Sequence, residues 1–117
     1  MDHILVKGDF PCEGGIRVEI EERLRIARRA WWIPLSRRHQ YAELTDYCYN
    51  AVLLNRGNIF RYNSPHTDHR TFHHVHRYDV LGSGAETVEP VKERDVPTLR
   101  QVLGEAETWY WEHLRKE

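Results

Sequence analysis

The sequence predicts an α+β fold: an antiparallel β-sheet of about five to six strands with a C-terminal α-helix packed on one face. Three patterns carry that expectation. Residues 16–26 alternate apolar and charged with a period of two, residues 47–62 hold two apolar runs around a turn signal, and the apolar residues of 99–114 recur at helical spacing.

Taken in order, Ile4-Leu5-Val6 reads as a short strand that ends at the turn-rich Gly8-Asp9-Phe10-Pro11 and Gly14-Gly15. From Ile16, the residues Val18, Ile20, Leu24 and Ile26 share one parity, and Arg17, Glu19, Glu21, Arg23 and Arg25 the other. A strand, straight or bent, puts the first set on one face; a helix scatters it around the axis. Trp31-Trp32-Ile33 is expected to continue the strand system before Pro34. The polar stretch Ser36 to Asp46 reads as loop or a short helical turn. Tyr47 to Leu54 is apolar on both parities, as in a central strand. Asn55-Arg56-Gly57-Asn58 then turns the chain into Ile59-Phe60-Arg61-Tyr62, completing a hairpin. A loop from Asn63 to Arg70 leads to a strand from Phe72 to Val80, and Glu86 to Val91 reads as an edge strand because Pro90 cannot donate to a ladder.

The tail is the helix. Asp95 is the expected N-cap and Pro97 suits the first turn. Leu99, Val102, Leu103, Ala106, Tyr110 and Leu114 form its apolar stripe, with Trp109 flanking. Trp111 lies about 120° from Leu99 and so falls off that stripe, either as a contact for a partner or packed under a loop. His113 is expected on the inner face as a packed histidine.

The 117 residues, 40% hydrophobic with 13 aromatics, suit one domain over 1–117 with a packed core and argue against global disorder. No apolar run approaches the ~20 residues of a membrane span. Met1-Asp2-His3-Ile4 does not begin as a signal peptide does, and Cys12 and Cys48 are too few for a disulfide framework. The expected setting is therefore cytoplasmic, away from membranes.

The formal charge of −1 hides two biases. Of the 17 basic residues 14 are Arg, the better residue for bidentate phosphate contact. Arg23, Arg25, Arg28, Arg29, Arg37 and Arg38 lie in a stretch, 23–42, without an acid, whereas 79–117 holds nine acids against five bases. Arg28, Arg29, Arg37 and Arg38 with Trp31 and Trp32 have the composition of a nucleic-acid face, phosphate cations interleaved with stacking rings. An acidic partner, the chain's own acidic third or plain solvent would suit the same charges.

The second bias is histidine: five of the eight lie between His66 and His76. On a strand, Phe72, His74, His76 and Tyr78 share one face, while His73, Val75, Arg77 and Asp79 share the other. Three readings stand. In the first, His69, His74 and His76 act as acid and base on an RNA phosphodiester without metal or other cofactor. Asp68 and Tyr62 then assist, and Arg61, Arg70 and Arg77 offset phosphate charge. In the second, His66, His69, His74 and His76 bind a divalent transition metal such as zinc, nickel or iron. In the third, the rings hydrogen-bond one another as a structural network, and the chain is a non-enzymatic interaction module.

Residues 47–115 resemble the TumE-like toxins of toxin–antitoxin systems. The resemblance rests on the aromatic hairpin with Phe60-Arg61-Tyr62-Asn63, the loop closing in Asp68-His69-Arg70, and Val96-Pro97-Thr98-Leu99 at the start of the last helix. Asn63 stands where that family's pattern often has Asp, and the His73-His74-Val75-His76 run and the Arg-rich front half are additional. The resemblance implies a sheet with a C-terminal helix, a ribonuclease-like action on RNA, and a cognate antitoxin that masks the active face. Self-association into a homo-oligomer is a further expected partnership.

Overall fold

A computed structural model describes residues 3–28, 40–65 and 72–115. The strands are β1 (His3–Pro11), β2 (Ile16–Arg28), β3 (Gln40–Leu53), β4 (Gly57–Asn63), β5 (His74–Tyr78) and β6 (Glu86–Pro90), followed by the helix α1 (Leu99–His113). They form one six-stranded sheet in the order β1-β2-β3-β4-β5-β6, every neighbour antiparallel. Strands consecutive in sequence are neighbours throughout, an order that antiparallel pairing allows without crossovers. The α+β architecture is the one the patterning predicts. Among the described residues no helix is long and apolar enough to cross a membrane.

The alternation of β2 does what its parity implies. Ile16, Val18 and Ile20 are buried and line up with Leu53, Ala51 and Tyr49 of β3. Phe60, Tyr62 and Val75 extend the same face, and α1 closes it with Val102 and Ala106. A register shift between Ala51 and Val52 sets Phe60 against Ala51 and Asn58 against Val52. Ile59 is the extra residue of that bulge, so Ile59 and Phe60 are buried in succession. The hairpin turns through Asn55 and Gly57, at φ 63° and 118°. Asn tolerates the left-handed region and Gly occupies it without strain.

Five expectations change. The first strand does not end at Gly8-Asp9-Phe10-Pro11 but runs through it, because β2 pairs with it as far as Pro11. Residues 40–46 of the polar stretch are the first half of β3, not a loop, paired with β2 as far as Arg28. Register sets Asp46 opposite Arg23 and Glu43 opposite Arg25. Opposite charges set across a ladder stabilise it, so a polar run there is compatible with a strand. The strand expected over Phe72–Val80 is limited to His74–Tyr78, because Asp79 builds the turn that follows. Its carbonyl accepts from the Gly82 and Gly84 N–H groups, and its carboxylate from the backbone and hydroxyl of Ser83. A side chain at Gly82 would collide with that carboxylate.

The N-cap is Thr98, not Asp95, which belongs to a 3₁₀ turn at Glu93–Asp95. The Thr98 hydroxyl accepts from the Gln101 N–H at 3.2 Å, and the Gln101 side chain accepts from the Thr98 N–H at 2.9 Å. This reciprocal box satisfies two donors at once, which a lone Asp cannot do. His113 is exposed rather than packed inside: it stacks on Trp109 and bonds that residue's carbonyl at 3.0 Å. Trp111 is exposed, off the apolar stripe as its angle predicts, and β6 is an edge strand with Pro90 at its end. Trp31 to Ile33 lies outside the described residues.

Candidate functional site

Register builds the site. β4 and β5 pair with Arg61 opposite His76 and Asn63 opposite His74. Directly opposed residues of an antiparallel pair project to the same face, so these four side chains share one face of the sheet. β3 contributes Asn50 beside Arg61 and Cys48 beside Asn63. This face is the one away from α1, because the alternate residues Tyr62 and Arg77 bond Glu105 of the helix.

On β5, His74, Val75 and His76 are all buried, so the strand is covered on both faces and its histidines must find partners. His76 is held at both nitrogens. Its Nδ1 bonds the Glu86 carboxylate, and its Nε2 lies 3.3 Å from Nη2 of Arg61. Guanidinium can only donate, so Nε2 is the acceptor and Nδ1 the donor to Glu86. His74 bonds the Phe72 carbonyl through Nδ1 at 2.9 Å. A carbonyl can only accept, which fixes the proton there too. The two imidazoles lie 4.9 Å apart at 72°, within an aromatic row that runs Phe72, His74, His76, Tyr78.

The surroundings are unusually unsatisfied. Among the described residues, Asn63 Oδ1, Arg61 Nε and Asn50 Oδ1 are buried without a hydrogen-bond partner. Each such group costs roughly 1–3 kcal/mol. The cluster meets solvent at Glu86, whose side chain is 44% exposed.

The other face carries a second polar cluster. The Tyr62 hydroxyl donates to Glu105 at 2.6 Å, Arg77 Nη1 donates to the same carboxylate at 2.7 Å, and Arg77 Nη2 lies 3.3 Å from the Tyr62 hydroxyl. Burial, with the Glu105 acceptor beside it, pushes the Tyr62 phenol up to about 12. Burial works against the charge of Arg77, but Glu105 outweighs it and the net direction is up. Farther along, the Tyr47 hydroxyl bonds His73 Nδ1 at 2.8 Å with the rings stacked, and burial pushes Tyr47 up to about 12.

The residues singled out from the sequence are thus divided by the sheet. Arg61, His74 and His76 come together, and Tyr62 and Arg77 lie on the opposite face under α1. Arg28 ends β2. His66, Asp68, His69, Arg70, Arg29, Trp31, Trp32, Arg37 and Arg38 lie outside the described residues. Among the described residues no group of three or more His, Cys, Asp or Glu is placed to hold a metal ion. Cys12 is a free thiol, and burial with Glu107 nearby pushes it up.

Sequence reasoning missed Glu86 and the carboxylate role of Glu105. Glu86 follows His76 by ten residues, and Gly82-Ser83-Gly84 between them was a signal: a tight hairpin there brings the two within diagonal reach. Glu105 carried no such signal, because it meets the sheet only through helix packing. Comparison with protein families, curated proteins and solved structures finds no match for this chain.

Proposed function

We propose that this chain is a toxin-like protein of a toxin–antitoxin pair that cleaves RNA by metal-independent acid–base catalysis at His74 and His76. The observation that carries the proposal is the chain Glu86–His76–Arg61 with the His74 ring 4.9 Å from His76. A carboxylate that fixes the Nδ1–H tautomer leaves Nε2 to act as base, the orienting logic of catalytic carboxylate–histidine pairs. Arg61 holds that nitrogen at rest. An arriving phosphate is a stronger acceptor for guanidinium than imidazole is, so it draws Arg61 away and releases Nε2.

His76 then takes the proton of the ribose 2′-hydroxyl. The 2′-oxygen attacks phosphorus, the bond to the 5′-oxygen breaks, and His74, as imidazolium, gives that oxygen its proton. The products are a 2′,3′-cyclic phosphate and a free 5′-hydroxyl. Arg61 offsets charge on the phosphoryl oxygens throughout. Tyr62 and Arg77 serve the sheet–helix contact instead. The Arg-rich segment that begins at Arg28 would track the RNA backbone, and a cognate antitoxin would mask the histidine face. A cytoplasmic setting belongs to the same reading.

The test uses protein purified without a His-affinity step and incubated with structured RNA in EDTA. Cleavage with cyclic-phosphate ends is expected. His76→Ala and His74→Ala, with unchanged circular dichroism, lose about 100-fold or more. Absence of cleavage, cleavage that EDTA abolishes, or variants as active as the parent would each overturn the proposal.

A further inference from the structure

The two edges of the sheet are built differently. β6 is five residues long, carries Glu86 and Glu89 and ends in Pro90, features that discourage another strand from pairing. β1 is nine residues long, its proline stands only at its last position, Pro11, and its charges Lys7 and Asp9 are of opposite sign, so another strand can match them rather than be repelled by them. It exposes Ile4 (42%), Leu5 (50%) and Phe10 (37%). A long, apolar, unpaired edge is a template for strand addition.

We infer that β1 pairs antiparallel with β1 of a second copy of this chain, joining two sheets into one across a two-fold axis at Gly8. The choice of occupant rests on charge complementarity within β1 itself. For the two sheets to continue face to face, residue i must oppose a residue of the same parity. A register centred on Lys7 or on Asp9 sets like charges together. Centring on Gly8 sets Lys7 opposite the partner's Asp9, and Asp9 opposite the partner's Lys7. Opposite charges directly across a ladder stabilise it, and like charges destabilise it.

The same register sets Val6 opposite the partner's Phe10, twice by symmetry. Those residues lie on the face that carries Val18 and Ile20, because Phe10 pairs with Val18 and Gly8 with Ile20. The apolar face of one sheet would therefore continue into the other. Gly8 suits the axis, since the Phe10 and Ile20 side chains already close over its position, so two copies meet there without a side chain between them. Asp9 already has Arg17 at 3.2 Å, but both side chains are half exposed and that pair is worth little.

Sedimentation equilibrium over a dilution series tests the interface. The parent chain is expected to dimerise. Lys7→Glu and Asp9→Lys each place two like-charge contacts at the axis and weaken the dimer about tenfold or more. The double variant K7E/D9K restores it, and so does an equimolar mixture of the two single variants, which re-creates both pairs in a heterodimer. Should either charge reversal fail to fold by circular dichroism, Lys7→Gln and Asp9→Asn are read instead, with a smaller loss expected for each. A parent chain that stays monomeric, single variants that dimerise like the parent, or a mixture that does not recover would each overturn the inference.

Discussion

Replacing Glu105 tests whether the sheet separates a structural cluster from a chemical one. Glu105 accepts from the Tyr62 hydroxyl at 2.6 Å and from Arg77 at 2.7 Å, and it ties β4 and β5 to α1. Hydrogen bonds to charged groups contribute about 1.5–3 kcal/mol each, whereas exposed ion pairs contribute about 1 kcal/mol or less. Tyr62 is buried, so its bond belongs near the low end of the first range. The Arg77 pair is 45% and 31% exposed and belongs to the second class. Glu105→Ala should therefore cost about 2 kcal/mol, read as a lower urea midpoint at unchanged slope. Tyr62→Phe in the same background should lose much less than in the parent, giving a coupling of about 1 kcal/mol. RNA cleavage per folded molecule should be unchanged in both. Stability within about 0.5 kcal/mol of the parent, or strict additivity with Tyr62→Phe, would refute the clamp; lost cleavage at full stability would return Tyr62 and Arg77 to the chemistry.

Alkaline pH should destabilise the fold through Tyr47 and Tyr62, both pushed up to about 12 by burial. Their unfolded phenols titrate near 10, so this stability is fully present below about pH 10 and is lost as pH rises through about 12, by roughly 3 kcal/mol at most for each. Urea midpoints between pH 9 and 11, followed beside phenolate absorbance, should fall less in Tyr62→Phe. Thr98→Ala removes the capping hydroxyl and should cost about 1 kcal/mol in the same denaturation assay. Nitrogen NMR of the imidazoles should find His76 as the Nδ1–H tautomer, and Glu86→Gln should mix in the other tautomer because an amide no longer selects the donor.

How far the sequence could be read depended on whether an element's environment was local. β2 is legible because one of its faces is buried, so period-two alternation survives in Ile16, Val18 and Ile20. The helix stripe is legible for the same reason, but its start is ambiguous in sequence, because Asp95 ahead of Pro97 offers a cap signal as good as the Thr98–Gln101 box that forms. Residues 40–46 were not legible, since polarity that signals a loop also suits a strand whose charges face those of a neighbour, and only the β2–β3 register supplies that neighbour. At the site, the pairing of His74 with His76 follows from strand alternation alone. Which arginine joins them is half legible: alternation along β5 already sends Arg77 to the other face, but only the β4–β5 register brings Arg61 to theirs.

That division has an energetic consequence. A sheet buried on both faces is most stable with apolar residues on both, and the α1 side follows that rule, with its polar groups tied to Glu105. The opposite side places Asn50, Arg61, Asn63, His74 and His76 together and leaves three of their polar atoms unpaired among the described residues. At roughly 1–3 kcal/mol for each orphaned group, that face gives up a sizeable share of the 5–15 kcal/mol that holds an ordinary domain together. Packing does not require these residues, because valine or isoleucine at the same positions would suit a doubly buried strand better. A local arrangement that opposes stability is where function is expected, and here its chemistry is specific. The cluster offers a carboxylate-oriented imidazole, a second imidazole beside it and a guanidinium bound to the first, with unmet donors and acceptors around them.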